Sequence, residues 1–249
     1  MSVKERIEMQ GTLAVRDAAS WLVQPHHPDV RRMPVPSPGR VLSDRTRSAL
    51  VWNSFRTLAL IDPSFWLRQL HARLFEFDER YRPPETLDVR LWVPVLPAPG
   101  HGDRREVTVD VLLESEDTWW GLFTLFENDV LIDPRDMAGP DPIIRAIDAL
   151  AWAAGARALF VGLISSGSST APVATRWMRR YAASPHLLGH RMSHANLHRN
   201  VRGIGTGTWT TVASVLSDCR RASALDEPER KAARRCLAWF SALGVSRGV

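Results

Sequence analysis

Lysine is almost missing from this chain. Lys4 and Lys231 are the only lysines, so none lies anywhere between residues 5 and 230. Among the sequence's phosphate-site motifs this rules out a nucleotide-binding loop, since GIGTGTW has the glycines but not the lysine that such a loop requires. Cysteine is nearly as scarce. Cys219 and Cys236 both fall in C-terminal helical patterns, where they read as small buried hydrophobes in a reducing compartment. No apolar run approaches the roughly 18 residues of a membrane helix. The N-terminal MSVKERIEMQ has no apolar segment of signal-peptide type, so the expected location is the cytoplasm. There is no HExxH, no paired CxxC, and SSGSS near Ser165 lacks the pattern of a nucleophile elbow. No internal repeat is visible.

What remains is an ordinary globular composition. The 249 residues are 45% hydrophobic and 24% charged, enough for one generous domain or one domain with a helical appendage. A net charge of +5 and a pI near 10.0 permit a polyanionic partner without requiring one. Because nearly all the basic side chains are arginine, the chain carries the better fork for phosphate.

Taken in order, Leu13 to Val23 reads as a short amphipathic helix, and QPHHPDVRRMPVPSPGR as a proline-rich surface linker. Ser43 or Asp44 caps a predicted helix reaching about Leu60, and Asp62-Pro63 restarts the chain as a helix over Ser64 to Phe77. Leu87 to Val95 alternates as a strand. Asp141-Pro142 caps a helix from Ile143 to Ala154, ended by Gly155, and RALFVGLI over Arg157 to Ile164 is a buried-strand pattern. Beyond SSGSSTAP the patterns read as helical throughout: about Val173 to Ala182, Pro185 to Arg199, Thr208 to Ala224 and Pro228 to Leu243. Trp119, Trp120 and Trp152 fall in patterns that look like core.

At the centre stands RREVTVDVLLESEDTWWGLFTLFENDVLI, Arg104 to Ile132, which reads as a hairpin. Val107, Val109, Val111 and Leu113 alternate with Thr108, Asp110, Leu112 and Glu114. Ser115-Glu116-Asp117 turns the chain, and Trp119 to Phe126 returns as a strand covered on both faces. Asp110 is thus a carboxylate in mid-strand beside a buried neighbour, where it needs a partner, a metal or a chemical task.

This order of helix, three strands, helix and strand resembles the core of the PD-(D/E)xK nucleases, the restriction-endonuclease-like fold. SALVWNSFRTLALIDPSFW is similar to the first helix of a bacterial subgroup, TVDVLLESEDTWWGLF to its Asp-bearing hairpin, and DPIIRAIDALAWAAGARALFVGLI to the helix and strand that follow. NVRGIGTGTW is similar to its C-terminal glycine turn, and together the pieces span about Ser43 to Val215. The resemblance implies a three-layer α/β core, a mixed sheet flanked by helices, with a C-terminal helical extension. The expected division is 1–42 for the first helix and linker, 43–166 for the core, and 167–249 for the extension.

In such a site an Asp and the Glu of Glu-x-Lys hold Mg²⁺ or Mn²⁺, which neutralises charge on the phosphate, while the lysine orients the attacking water. Asp110 fills the first place. The Glu-x-Lys places fall on Phe123 and Leu125, and the further acid of the first helix falls near Arg47. The resemblance therefore implies a degenerate protein that keeps nucleic-acid binding, DNA ahead of RNA, and has lost phosphodiester cleavage. An active metal-dependent nuclease stays open as the enzyme alternative, with Asp110 as metal ligand and Glu127 as a migrated acid. Glu127 lies four residues after Phe123, on the same face and about 13 Å further along; Glu114, Asp129 and Arg135 are nearby candidates. A subunit binding a protein partner in a bacterial defence-type assembly is the third reading, and it rests on family analogy alone.

Two other features carry chemistry. VRGIGTGTWTTV matches the hairpin of a helix-hairpin-helix, with Gly203 and Gly205 letting backbone N–H groups approach a phosphate. The helix N-terminus near Thr208 adds its dipole there, and Arg199 and Arg202 add charge. The plainer alternative is a tight turn that starts a helix capped by Thr206 or Thr208. His186, His190, His194 and His198 recur every fourth residue, drifting by about 40° per step on a helix. A pair such as His190 and His194 has zinc-binding spacing, yet no Cys, Asp or Glu in the segment completes a site, so a polar helix face is the default.

Overall fold

Every position of the strand after Thr118 is buried, and so are five consecutive positions from Val161 to Ser165. Runs of this kind need protein on both faces, and the rest of the chain supplies it. The computed structural model describes residues 47–75, 81–98, 106–125, 141–166, 173–192 and 197–245. The first predicted helix, the proline-rich linker, and the residues from 126 to 140 that include Glu127, Asp129 and Arg135 lie outside them, as does His194.

In chain order the elements are α1 (Arg47–Leu58), α2 (Pro63–Leu74), β1 (Asp88–Val95), β2 (Val107–Glu114), β3 (Thr118–Thr124), α3 (Pro142–Ala154) and β4 (Ala158–Ser165). Then follow α4 (Val173–Ala183), α5 (His186–Arg191), a 3-10 turn (Leu197–Asn200), β5 (Val201–Thr208), α6 (Trp209–Arg221) and α7 (Glu227–Ala242). The strands lie side by side in sequence order, with β1, β2 and β3 an antiparallel meander and β3, β4 and β5 parallel. The protein is thus α/β, with a five-stranded mixed sheet flanked by helices. One apolar cluster joins Leu50, Phe55, Trp66, Leu70, Trp209 and Phe240, from α1, α2, α6 and α7. The other joins Ile147, Leu150, Met178, Tyr181 and Leu188, from α3, α4 and α5.

The helix ends follow the signals in the sequence. The Asp62 side chain accepts from the Ser64 N–H ahead of α2, with Pro63 at the first position, and Asp141 accepts from the Ile143 and Ile144 N–H groups ahead of α3. Gly155 ends α3 at φ 64°, which costs a glycine little. Thr208 and Asp226 each open a helix with a reciprocal capping box, to Thr211 and Glu229 respectively. Cys219 and Cys236 are free and buried, as expected.

Three expectations are corrected. Val201 to Thr208 is neither a hairpin nor a turn but an edge strand, so the segment 167–249 is not wholly helical and contributes a strand to the sheet. Its glycines recur with period two and share one face, which meets the end of α2. A Cβ on Gly205 would collide with the Leu74 carbonyl oxygen, and one on Gly207 with the Leu74 side chain. Glycine here permits close approach of another backbone, the second reason a strand carries it. None of these glycines has a positive φ. The long helix expected over Pro185 to Arg199 stops at Arg191, where Met192 turns extended at ψ 144°. Trp152 is 43% exposed, not core. The buried stripe of α3 runs through Ile143, Ile147, Leu150, Ala151 and Ala154, and Trp152 sits about 100° round the helix from Ala151.

Candidate functional site

Asp110 is 4% exposed in the middle of β2. A carboxylate this deep stays ionised only when its charge is met. Its Oδ2 accepts from the Thr124 backbone N–H at 2.7 Å and from the Thr124 hydroxyl at 3.0 Å. Its Oδ1 lies 4.0 Å from Nε of Arg47, at the first turn of α1. Arg47 also donates through Nη1 to the Thr124 carbonyl at 3.5 Å. The guanidinium therefore bridges the carboxylate and the end of β3. Arg47 occupies the very region where the resemblance calls for another acid, and it brings the opposite charge.

The neighbouring places are apolar. Phe123 and Leu125 are buried and belong to the cluster beneath α3. The polar atoms that Leu125 has are its backbone ones, and both are used: its N–H donates to the Ile164 carbonyl at 2.8 Å, and its carbonyl accepts from the Trp209 indole at 2.9 Å. Glu114, at the hairpin end of β2, takes a hydrogen bond from Arg90 at 3.1 Å. A hard divalent cation needs several oxygen ligands. One carboxylate beside a guanidinium does not make that set, and among the described residues no group of three or more His, Cys, Asp and Glu could hold a metal. The His190 of the histidine ladder is exposed on α5, and its expected partner His194 lies outside the described residues.

Strain sits beside the same carboxylate. Leu91 pairs with Val111 and Val93 with Val109, which leaves Trp92 across from Asp110. Trp92 has φ 51°, a conformation costing a bulky residue about 1–3 kcal/mol. The twist carries its ring into the cluster under α1, stacked on Trp52 with centroids 6.0 Å apart and planes 8° from parallel. Tertiary packing thus holds this part of the sheet in a conformation the local chain disfavours.

A second region gathers at the other side of the sheet. Among the described residues β5 is an edge strand, paired to β4. A cleft of about 440 Å³ runs along it, bounded by Leu74 and Phe75 at the end of α2 and by Arg179, Tyr181, Pro185 and Leu188 of α4 and α5. Val201 to Thr206 form its length, so Arg202, Gly203 and Gly205 come together here, while Thr208 is spent on capping α6. Asp141 fixes the cleft wall. Its Oδ2 accepts the Tyr181 hydroxyl and lies 3.7 Å from Nη1 of Arg191, tying α4 and α5 to the start of α3. Burial, and then that hydrogen bond to a carboxylate, push the Tyr181 phenol well above its usual range.

Arg179 and Arg202 line this cleft, and further exposed arginines stand on α4 and the 3-10 turn. Arg176, Arg179 and Arg180 project from α4, and Arg199 and Arg202 from the 3-10 turn and β5. No ion pair engages any of them among the described residues. A composition signal underlies this and was open to reading: between Asp148 and Asp218 the chain has no aspartate or glutamate at all. No family model matches the chain, and no curated protein or solved structure matches it either.

Proposed function

We propose that this chain is a degenerate restriction-endonuclease-like protein that binds nucleic acid, DNA in preference to RNA, and does not cleave it. The observation that carries the reading is the state of Asp110. Its carboxylate is consumed by Thr124 and Arg47, and the two places that should supply Glu and Lys are the buried Phe123 and Leu125. Support for the kinship comes from the order of helices and strands and from a mixed sheet in which β2 opposes β1 and β3. Support for nucleic acid comes from the exposed Arg176, Arg180, Arg199 and Arg202, which lie in a stretch of chain, residues 149–217, that contains no aspartate or glutamate.

The test is a native gel of the purified protein with plasmid and with short single-stranded DNA, in Mg²⁺, in Mn²⁺ and in EDTA. A shift that weakens steeply with salt, without cutting, is the expected result. Cutting that needs the metal and disappears in Asp110→Ala would overturn the degenerate reading and make Glu127 the next residue to change. No shift and no cutting would remove nucleic acid as the ligand.

A further inference from the structure

The edge of β5 is a second feature of the fold, separate from Asp110. An edge strand presents a row of unpaired N–H and C=O groups, and proteins normally shorten it, cover it or bend it away. Here the strand is eight residues long and its Val201 to Thr206 stretch lies in a cleft, with α2 on one face of the sheet and α4 and α5 on the other. Alternation gives the two sides different characters. Gly203, Gly205 and Gly207 turn toward Leu74 and Phe75, leaving that side without side chains of its own. Arg202, Ile204 and Thr206 turn the other way, toward the wall that carries Arg179. No backbone hydrogen bond from another segment reaches Arg202 to Gly207 on the outer side among the described residues.

We infer that the cleft is a docking site for an extended, acidic segment of a protein partner, which adds to the sheet as a sixth strand beside β5. Arg202 to Thr206 span about 13 Å at strand rise, and main-chain pairing over that length supplies affinity while the walls select side chains. Charge chooses the occupant. Arg179 and Arg202 flank the groove with no acid in their stretch of chain, so carboxylates on the incoming strand are attracted. A second copy of this chain, pairing edge to edge, would set Arg202 and Arg179 against their own counterparts and is disfavoured for that reason. A nucleic-acid strand matches the charge but has no repeat of N–H and C=O groups to meet the edge.

The experiment is fluorescence anisotropy on the full chain with a labelled decapeptide that alternates valine and glutamate. Controls are its lysine-for-glutamate counterpart and two copies N-methylated at alternate residues, one in each phase. Saturable binding of the acidic peptide is expected, with at least one N-methylated copy weaker by about tenfold, the equivalent of one or two lost hydrogen bonds. Arg179→Glu, a change at an exposed position, should weaken binding several-fold and leave the thermal midpoint unchanged. The inference is overturned if the acidic peptide does not bind, if both methylated copies bind like the parent, or if single-stranded DNA of equal charge displaces the peptide as well as the peptide displaces itself. Failure here leaves the nucleic-acid reading standing, because the gel shift uses no peptide; a peptide that binds while no DNA shifts would do the reverse.

Discussion

Two charged regions of this protein are handled in opposite ways. At Asp110 a single negative charge is buried, and the fold surrounds it with a backbone N–H, a hydroxyl and a guanidinium. On α4, the 3-10 turn and β5 several arginines stand exposed, with no ion pair among the described residues. A buried charge left unmatched would cost several kcal/mol, whereas exposed arginines cost little because water and salt screen them. Matched charge holds the structure together; unmatched charge is available to a ligand. The contrast predicts that changes at the first region should alter stability, and changes at the second should alter binding.

The largest effect tests what separates the regions. Gly205→Ala puts a methyl group into the Leu74 carbonyl, so α2 or β5 must shift, and a loss of about 3 kcal/mol is expected in denaturant unfolding. A loss below about 0.5 kcal/mol would mean that β5 is not packed as described. Next is Arg47→Ala, which removes the guanidinium 4.0 Å from the Asp110 carboxylate and should lower stability by about 1–3 kcal/mol, with DNA binding unchanged. Thr124→Val removes only the hydroxyl donor and should cost about 1 kcal/mol, since the backbone N–H remains. At the small end, Arg176→Ala and Arg199→Ala should each change stability by less than about 0.5 kcal/mol while reducing the salt dependence of DNA binding. Arginine variants that unfold the protein, or an Arg47 variant that is stable but no longer binds, would break the contrast.

The cysteines extend the same principle to ionisation. Burial raises both thiols from the ordinary 9.0 to about 12. The folded state keeps these protons while the unfolded chain releases them above pH 9, so high pH favours unfolding. Stability should be independent of the thiols below pH 9 and fall as pH rises from 9 towards 12. Cys219→Ala and Cys236→Ala variants, followed by denaturant titration across that range, should flatten the slope. A thiol reagent at neutral pH should label neither residue in the native protein.

Much of the architecture was legible residue by residue. The alternation of Val107 to Leu113, the apolar return through Trp119 to Leu125, the Asp-Pro caps of α2 and α3 and the stop at Gly155 all lie within a few residues of the structure they direct. The candidate site was legible only in part. That Asp110 was buried in a strand followed from its neighbours, but its partners did not. The glycines of β5 were misread because local rules connect glycine with turns, and nothing near residue 205 in sequence announces Leu74.

The sequence by itself thus determined most of the elements, the Asp-Pro caps of α2 and α3 and the place of Asp110 in a strand, because backbone preference and hydrophobic period act over a few residues. Only the tertiary structure decided that Arg47 reaches the Thr124 carbonyl, 77 positions away, and that the Val201 to Thr208 segment lies at the sheet edge beside α2. Those outcomes depend on packing two layers of helices against one sheet. Electrostatic matching and steric fit between distant segments exist only once that packing has brought them together.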